Sequence, residues 1–463
     1  MAAKTTDFPA KQKQLNDDIA SGNFKPCYLI YGEEAYLRLQ NRDKLLKALG
    51  CDESSMNFNR YEGDGNVPGQ IIDMAQTMPF LADKRVILVQ DSGFFKNGER
   101  VVGGLPWAFI SEMIRLNAAR PEMPKGHISV DPEYYKLAAQ RMVLKEGITP
   151  LMNSTLISAQ TENGRIASVE IVSKSGIRKV AGTVFIDATG DGDLCALAGV
   201  PAEVPDVPQP LSLCFELTQV DVSTPLLRDS IRHNGYRGTP SCNRTIHRFL
   251  EDKYKAGEGP LFGGPWFNTL MNGDRLAVNM TRNAASVLDA DAYSRAEFQM
   301  REDMFALVQM LRDEYPEFAH CVISASAVSA GVREGRHLAG LYRLTGDDVL
   351  NAVPFPDSIA RCAHIIDIHR SEEPAQAVET PARAGFIPYR TMVTAACDNL
   401  IGAGRLISAD ERAHASIRVQ GTCMATGQAA GIAAALALQG NTGVQAVDAW
   451  KLQSEIRAQG GIC

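Results

Sequence analysis

The sequence contains ten cysteines but no Cys-x-x-Cys pair. This spacing argues against a zinc ribbon, an iron–sulfur cluster motif and a secreted disulfide framework, and no metal site is predicted. The longest apolar run, residues 429–438, is well short of the roughly 20 residues that a membrane span needs. Because residues 1–18 also lack the apolar segment of a signal peptide, we expect a cytoplasmic protein with no membrane partner.

The sequence has no large excess of charge of one sign. The formal net charge is −7, and residues 1–96 contribute −1 of it, with 12 Lys and Arg against 13 Asp and Glu. A surface that binds nucleic acid by itself is usually strongly basic, so no direct nucleic-acid footprint is predicted. The 463 residues, of which 45% are hydrophobic and 22% charged, are typical of a soluble globular protein with two or three domains.

A complete Gly-x-Gly-x-x-Gly turn is also missing. That turn follows a strand, opens a helix and holds the pyrophosphate of a dinucleotide. Three segments come close to it. Residues 63–69 have one residue too many, residues 257–264 place a proline where the helix should open, and residues 402–407 lack the last glycine.

The first part of the chain has the pattern of a small parallel α/β unit. It predicts a strand at residues 27–31, a helix that ends near residue 50, a short helix at 69–79 and a strand at 85–89. The Gly-Glu-Glu turn at 32–34 stands where a phosphate-binding loop would be. Its two carboxylates at a helix N-terminus would repel a phosphate, so it is not predicted to bind one.

Two stretches of this part, "CYLIYGEEAYLRLQNRDKLLKAL" and "IIDMAQTMPFLADKRVILVQDSGFFK", resemble a known family. It is the N-terminal domain of the clamp-loader delta subunit of bacterial DNA polymerase III, and the resemblance covers residues 15–96. It implies an ATPase-like fold without ATP binding, and a sliding clamp as the partner of an exposed apolar pair, Phe80 and Leu81. The alternative is that both side chains pack under the strand that follows.

The second part of the chain, residues 97–463, has a longer series of α/β elements. The predicted segments are a helix at 131–147, strands at 156–161, 167–172 and 179–189, helices near 224–256 and 291–315, returning segments at 360–370 and 386–390, and a strand, Gly turn and long helix at 398–439. The two helices in the middle suggest an inserted cap.

Four motifs in this part occur in the order of another family. They are "DATGDGD" (187–193), "REGRHLAGLYRLTGDDV" (333–349), "NLIGAGR" (399–405) and "MATGQAAG" (424–431). Together they resemble the FAD-dependent oxidoreductases. The resemblance implies an α/β fold: an incomplete FAD-binding Rossmann-like domain, with a cap or substrate region inserted at about 205–330, preceded by the small ATPase-like segment at 1–96.

The resemblance also implies where FAD would bind. Thr189 and Gly190 would form a tight turn against the cofactor, Asp191 or Asp193 would accept hydrogen bonds from its hydroxyl groups, and Gly404 would let the backbone approach it. The opening of the helix at 422–428 would direct amides at the flavin ring. The predicted cofactor-binding residues are Asp187, Thr189, Gly190, Asp191, Asp193, Gly404, Arg405, Thr426, Gly427 and Gln428. Because both turns must reach one cofactor, the strand ending at 187 is predicted to lie beside the strand at 399–402.

Four residues are predicted to act on the substrate. Arg333, Arg336, His369 and Arg390 would bind an anionic small molecule or assist proton transfer, since arginine suits carboxylates and histidine titrates near neutral pH. The alternative is that the arginines form surface salt bridges and that His369 is a buried imidazole with its hydrogen bonds satisfied. The sequence specifies neither the substrate nor the electron acceptor.

Three hypotheses about function remain open at this stage. The first is an FAD-dependent oxidoreductase, either complete or damaged. The delta-like segment occupies the place where the pyrophosphate-binding unit should be, so the chain is expected to bind FAD poorly or not at all, and a damaged enzyme would be inactive. The second hypothesis is a replication module that binds a sliding clamp. The third is a non-physiological fusion whose halves have no joint function, which a single DNA read across codons 90–105 would test.

Overall fold

The computed structural model divides the chain into two compact units, Met1–Gly98 and Glu99–Cys463. The described residues are 8–30, 35–50, 55–62, 71, 74–80, 82, 84–90, 101–119, 130–227, 243–269 and 275–463. The predicted junction between residues 96 and 97 therefore lies outside the described residues, as does Leu81.

The first unit contains two helices and a two-stranded parallel sheet. The elements are α1 (Phe8–Ser21), α2 (Ala35–Ala48), β1 (Phe58–Glu62) and β2 (Val86–Gln90). Reciprocal hydrogen bonds between the side chains of Gln12 and Asn41, 3.0 and 3.1 Å long, join the two helices. The helix before residue 50 and the strand near 85–89 are confirmed.

The strand predicted at 27–31 is wrong within residues 27–30, which form no regular element. The Tyr28 hydroxyl donates to Asp18 at 3.0 Å and accepts from the Lys25 amide at 2.9 Å, so a local turn holds this segment. β2 pairs instead with β1, in parallel, from Phe58 opposite Val86 to Glu62 opposite Gln90. Residue 31 and the Gly-Glu-Glu turn lie outside the described residues.

The second unit mixes helices with several small sheets, which confirms the predicted α/β class. Its described helices are α3 (Gly104–Arg115), α4 (Pro132–Lys145), α5 (Asp193–Leu197), α6 (Arg244–Lys255), α7 (Ala290–Glu314), α8 (Gly346–Leu350), α9 (Glu411–Ile417), α10 (Gln420–Gly440) and α11 (Ala449–Ala458). Its described strands are β3 (Thr155–Glu162), β4 (Arg165–Ser173), β5 (Gly176–Ala181), β6 (Phe185–Asp187), β7 (Ala202–Glu203), β8 (Phe215–Thr218), β9 (Phe262–Thr269), β10 (Arg275–Thr281), β11 (Val322–Ser326), β12 (His337–Leu338), β13 (Ser358–Cys362), β14 (Ile366–His369), β15 (Gln376–Glu379), β16 (Gly385–Pro388), β17 (Val393–Thr394) and β18 (Cys397–Gly402).

The strand that ends at Asp187 lies beside the strand that ends at Gly402, as predicted. β6 pairs with β18 in parallel, with Phe185 opposite Leu400 and Asp187 opposite Gly402, and β17 completes the sheet on the other side of β18. Both strands therefore deliver their Gly turns at the same edge. Buried Asn399 stabilises this arrangement, because its side chain hydrogen-bonds the amide and the carbonyl of Ile166 at 2.9 and 2.8 Å.

The predicted segment 179–189 is divided between two sheets. Residues of β5 belong to the antiparallel sheet β3-β4-β5, and residues of β6 to the parallel pair with β18. Among the described residues β6 is an edge strand of its sheet, and Ile186 on it is 39% exposed.

The predicted insert, residues 205–330, contains an antiparallel sheet with strand order β11-β8-β10-β9. Helices α6 and α7 contribute to the apolar cluster of this region, which includes the fully buried rings of Phe262, Phe267 and Phe318. Asn243 and Asp289 accept hydrogen bonds from the first-turn amides of α6 and α7, which explains where these helices begin. The domain boundaries remain a prediction.

Helix α10 consists mainly of alanine and glycine, and its buried alanines lie in the apolar cluster that includes Ile359, Ile387 and Ile401. By length and composition alone it is apolar enough to cross a membrane, a test that buried helices of soluble proteins also pass. Small side chains let neighbouring elements approach its backbone closely.

Candidate functional site

The Asp187 carboxylate organises the turn after β6. It is buried, and its Oδ1 accepts hydrogen bonds from the Thr189 amide at 3.0 Å and the Thr189 hydroxyl at 2.7 Å. Its Oδ2 accepts from the Cys195 amide, in the first turn of α5, at 3.0 Å. The Thr189 hydroxyl in turn accepts from the Asp193 amide at 3.0 Å. Asp187 and Thr189 therefore hold the turn itself together.

An ion pair joins the two Gly turns. The Arg405 guanidinium lies 2.8 Å from Asp191 Oδ1, and a side chain at Gly190, where φ is +85°, would collide with the same guanidinium. Arg336 approaches the first turn from the other motif, with Nη1 3.1 Å from the Asp191 carbonyl and 3.2 Å from Asp193 Oδ1. In the structure both carboxylates thus have arginine partners.

The second turn is held to helix α10 by Thr426. The Gly404 amide donates to the Thr426 hydroxyl at 3.0 Å, and that hydroxyl donates to the Cys423 carbonyl at 2.9 Å. Gly404 has φ of +78°, and the nearest atom that an added Cβ would meet is Cys423 Cβ at 3.9 Å. The described residues therefore leave the backbone at Gly404 open to close approach, and its contact with a cofactor stays a prediction.

Helix α10 begins at Gln420, before the predicted opening at 422–428. Thr426, Gly427 and Gln428 consequently lie beyond its first turn, where helical amides are paired within the helix. The Gln428 side chain accepts from the Leu105 amide at 3.0 Å and therefore satisfies the N-terminus of α3. A Cβ at Gly427 would meet no atom within 4 Å, so this face of the helix is open.

The described residues do not fit a complete FAD. The turn at Gly404 is accessible, but the Arg405 guanidinium fills the space at Gly190, and the described residues of β6 have no further strand and no Gly-rich turn beside them. No described helix N-terminus with a Gly-x-Gly-x-x-Gly turn is available for the pyrophosphate.

Arg333 lies beside a second arginine that the sequence analysis missed, Arg418. Arg333 donates to the Pro210 carbonyl and to the Ser212 hydroxyl, the latter at 2.8 Å, and Arg418 donates to the Asp367 carbonyl at 3.0 Å. Within the described parts of the chain, neither guanidinium has a carboxylate oxygen within 4 Å. Burial, and next the positive charge of Arg418, lower the pKa of Arg333 to about 9.

His369 lies in the same group of residues. Arg282 Nη2 is 3.2 Å from its Nδ1, and Asp367 Oδ2 is 3.1 Å from its Nε2. Because arginine only donates, Nδ1 must accept, and the proton of the neutral imidazole is on Nε2 and faces Asp367. Burial lowers the pKa of His369 to about 4, against the opposing effect of Asp367. The Trp266 ring makes a T-shaped contact with the imidazole ring of His369, with the two centroids 5.3 Å apart.

Two unpaired donors point to an acceptor that would complete this site. Gln209 Nε2 and Arg418 Nε are buried and have no hydrogen-bond partner among the described residues, while one acceptor, Asp367 Oδ1, is also unpaired. Gln209 links the parts of the site, because its Oε1 accepts from the His369 amide at 3.3 Å. We define the anion group as Gln209, Arg333, Asp367, His369 and Arg418.

Two of the predicted substrate residues lie elsewhere. Arg390 forms a two-pronged ion pair with Asp357, at 3.0 and 3.2 Å, and its guanidinium lies 5.2 Å from the centroid of the Tyr342 ring. Arg336 binds the first Gly turn, as described above. The structure therefore brings together Arg333 and His369 only, and gives the other two the structural role that was the stated alternative.

Sequence reasoning missed Arg282 and Arg418, which lie in none of the four motifs. Arg418 comes between two of them, directly after α9, and a search for arginines flanking the motifs would have included it. No local signal marks Arg282, which lies in the insert just after β10.

The low pKa of His369 predicts an effect of pH on stability. An unfolded histidine titrates near 6.5, whereas folded His369 stays neutral down to about pH 4. The unfolded state therefore binds a proton first as the pH falls through this window, and the free energy of unfolding decreases by about 1.4 kcal/mol per pH unit. Buried His414, whose pKa is also lowered, adds a contribution of the same sign. In urea titrations, His369→Asn should therefore make the slope less steep by about 1.4 kcal/mol per pH unit, while the exposed control His320→Asn should leave it unchanged. An identical slope in all three proteins would contradict the assignment.

Two family models match the chain. The model described as FAD dependent oxidoreductase matches residues 85–456, and the model described as DNA polymerase III, delta subunit, matches residues 28–108. Both segments recognised in the sequence are thus confirmed as similar to these families. Among curated proteins, none matches the chain.

Solved structures show distant similarities. A geranylgeranyl bacteriochlorophyll reductase-like protein from Thermoplasma acidophilum has a TM-score of 0.36 and 13% identity, over 71% of this chain and 59% of that one. A myxobacterial chondrochloren halogenase has a TM-score of 0.34 and 12% identity, over 87% of this chain and 78% of that one. An aklavinone-11 hydroxylase in complex with FAD and aklavinone has a TM-score of 0.30 and 11% identity, over 76% of this chain and 46% of that one.

At these scores the similarities carry no argument about this chain, which spans less than two thirds of the first and third of these proteins. The family model is decisive instead, because it extends over most of the chain. The chain therefore belongs to the FAD dependent oxidoreductase family.

Proposed function

We propose that residues 99–463 form the substrate side of an FAD-dependent oxidoreductase that acts on an anionic small molecule. The observation that supports this is the anion group, in which the charges of Arg333 and Arg418 act on each other and share one nearby carboxylate, Asp367, which forms no ion pair within 4 Å with either of them. Two guanidinium groups that are partly removed from water are costly unless an anion neutralises them.

A carboxylate is the anion that fits this site best. Guanidinium groups are planar and bind carboxylates through paired hydrogen bonds. The unpaired donors Gln209 Nε2 and Arg418 Nε would gain acceptors from a bound carboxylate. The neutral imidazole of His369, held between Arg282 and Asp367, adds no further charge and keeps a fixed orientation beside the substrate.

Binding of dicarboxylates can be followed through Trp266, which contacts His369. In a protein with Trp107→Phe and Trp450→Phe, we expect succinate to change the fluorescence of Trp266. Arg333→Gln and Arg418→Gln should each weaken binding about 10-fold or more, since one charge-assisted hydrogen bond contributes roughly 1.5–3 kcal/mol.

Arg390→Gln is the matched control, because Arg390 is paired with Asp357 away from the anion group. It should bind succinate as the unsubstituted protein does. Equal affinities in all variants, or no fluorescence change with succinate, malonate or acetate, would contradict an anion site here.

We further propose that this chain by itself holds FAD weakly and is inactive as an oxidoreductase. The two accessible features, the Gly404 turn and the open face at Gly427, would contact the flavin end only. The two charges of the pyrophosphate would find no glycine-rich helix N-terminus among the described residues. Exposed Ile186 on the edge strand β6 is consistent with a missing neighbouring strand.

The chain as printed should purify without stoichiometric FAD. A version in which residues 1–96 are replaced by a strand-turn-helix-strand unit with Gly-x-Gly-x-x-Gly should bind FAD tightly, measured by absorbance and by equilibrium dialysis. Gly404→Val in the replaced version should weaken FAD binding by closing the second turn, and Gly257→Val, far from the turns in sequence, is the control for a glycine with positive φ. A yellow, soluble, FAD-saturated unmodified protein would overturn this proposal.

A second candidate function is binding of a sliding clamp by the first unit. Phe80 is 59% exposed, and its backbone is fixed by Asn57, whose side chain accepts from the Phe80 amide and donates to its carbonyl, both at 2.7 Å. Arg85 holds the preceding segment through the Thr77 and Met78 carbonyls, each at 3.3 Å. A rigid backbone that presents an exposed aromatic ring is suited to a partner pocket.

Substituting both Phe80→Ala and Leu81→Ala should weaken binding to a bacterial sliding clamp at least about 10-fold, because apolar anchors dominate such interfaces. Isothermal titration calorimetry with the full chain measures this. Met56→Ala removes an equally exposed side chain, 72% exposed, and should bind normally. Unchanged affinity in the double variant rules out the apolar pair as the anchor.

We also propose a cytoplasmic location. All eight cysteines in the described part of the chain are free thiols, which is the usual state in a reducing compartment.

A further inference from the structure

Glu334, His337 and His414 come together in the interior of the second unit. Glu334 Oε1 lies 3.1 Å from His337 Nε2 and 3.5 Å from His414 Nδ1, and one ligand atom from each residue lies within 4.8 Å of the others. The three residues are 3%, 5% and 0% exposed. We call them the Glu-His-His cluster.

Different parts of the fold hold the three side chains in place. His337 is in β12, which pairs with β7 through His337 opposite Glu203. Glu334 is fixed by its second oxygen, because Oε2 accepts from the Gln209 amide at 2.9 Å. His414 belongs to α9, whose N-terminus is capped by Asp410. The cluster is thus preorganised by tertiary structure.

Three ring nitrogens of the cluster are buried without a hydrogen-bond partner among the described residues. They are His337 Nδ1 and both nitrogens of His414. A buried imidazole normally has its nitrogens satisfied, and each unpaired polar atom costs free energy. His414 Nδ1 lies 3.5 Å from Glu334 Oε1, and His337 Nε2 is hydrogen-bonded to the same oxygen at 3.1 Å, so a metal ion at this point would replace the proton between His337 and Glu334 and give His414 Nδ1 a partner.

We propose that the Glu-His-His cluster binds one divalent transition-metal ion of the Zn²⁺ and Fe²⁺ class. These ions bind imidazole nitrogen and carboxylate oxygen at about 2.0–2.2 Å, so that neighbouring ligands in a tetrahedral site are about 3.3 Å apart. The distances of 3.1 and 3.5 Å agree with this spacing. Three protein ligands leave a coordination position open for water or another ligand.

The charges around the cluster act on a cation in both directions. Glu334 supplies one negative charge directly, and Arg405 is paired with Asp191. Arg418 donates to the neutral Asp367 carbonyl, so its positive charge, which acts on Glu334, opposes a bound cation and Glu334 must outweigh it. The proposal does not depend on FAD or on the anion group, and its test measures neither.

Zn²⁺ and Co²⁺ are the probes for this site. The full chain, freed of metal with a chelator and dialysed, should bind one Zn²⁺ per chain in competition with a chromophoric indicator. Co²⁺ should give visible absorption bands of a protein-bound ion. His337→Asn and His414→Asn should lose the 1:1 binding and the Co²⁺ bands, whereas the exposed control His320→Asn should retain both.

The Glu334→Gln variant provides a second test of the site, because the histidine variants would also lose metal binding if they misfolded. Glutamine preserves the shape and an acceptor for the Gln209 amide but removes the ligand charge. It should keep the circular dichroism spectrum and weaken Zn²⁺ binding at least about 10-fold. No 1:1 Zn²⁺ binding by the unsubstituted chain, or equal affinity in a folded Glu334→Gln variant, overturns the proposal.

Discussion

The parallel pairing of β6 with β18 is the constraint on which the described site depends. These strands are more than 200 residues apart in the chain, yet their register places Asp187 opposite Gly402. Both strands therefore lead into their turns at the same edge of the sheet, where the Arg405–Asp191 ion pair links the two turns. Arg336 and α10 are positioned at the same edge, because Arg336 binds the first turn and Thr426 of α10 binds the second.

Polar groups of the second unit have two distinct roles. One role is to shape the turns: the side chains of Asp187, Thr189 and Thr426 form hydrogen bonds with backbone groups of the turns and so determine their local conformation. Arg333 and Arg418 are different, because they make hydrogen bonds to neutral groups but no ion pair among the described residues. Two half-buried cations near a single carboxylate, Asp367, are only partly neutralised. This imbalance is the basis of the proposed anion ligand.

The two units raise different physical questions. The first unit carries an exposed aromatic ring on a fixed backbone, an arrangement suited to protein recognition. The second has the family's later motifs and the proposed anion site, but no described Gly-rich turn for a pyrophosphate. Family membership thus applies to most of the chain, whereas the proposal of weak FAD binding rests on that turn.

The sequence by itself determined the elements with strong local patterns. The helix at 132–145, the strands β3 and β4, the long helix α10 and the pairing of the two Gly-turn strands followed from periodicity, capping residues and motifs. It failed at 27–30, because an apolar run forms a strand only where a partner strand is available. Tertiary structure decided the rest. Contacts between residues far apart in the chain decide which arginine pairs with which carboxylate. They also bring Arg418 near Arg333, and His414 near Glu334 and His337. No local sequence pattern records such contacts.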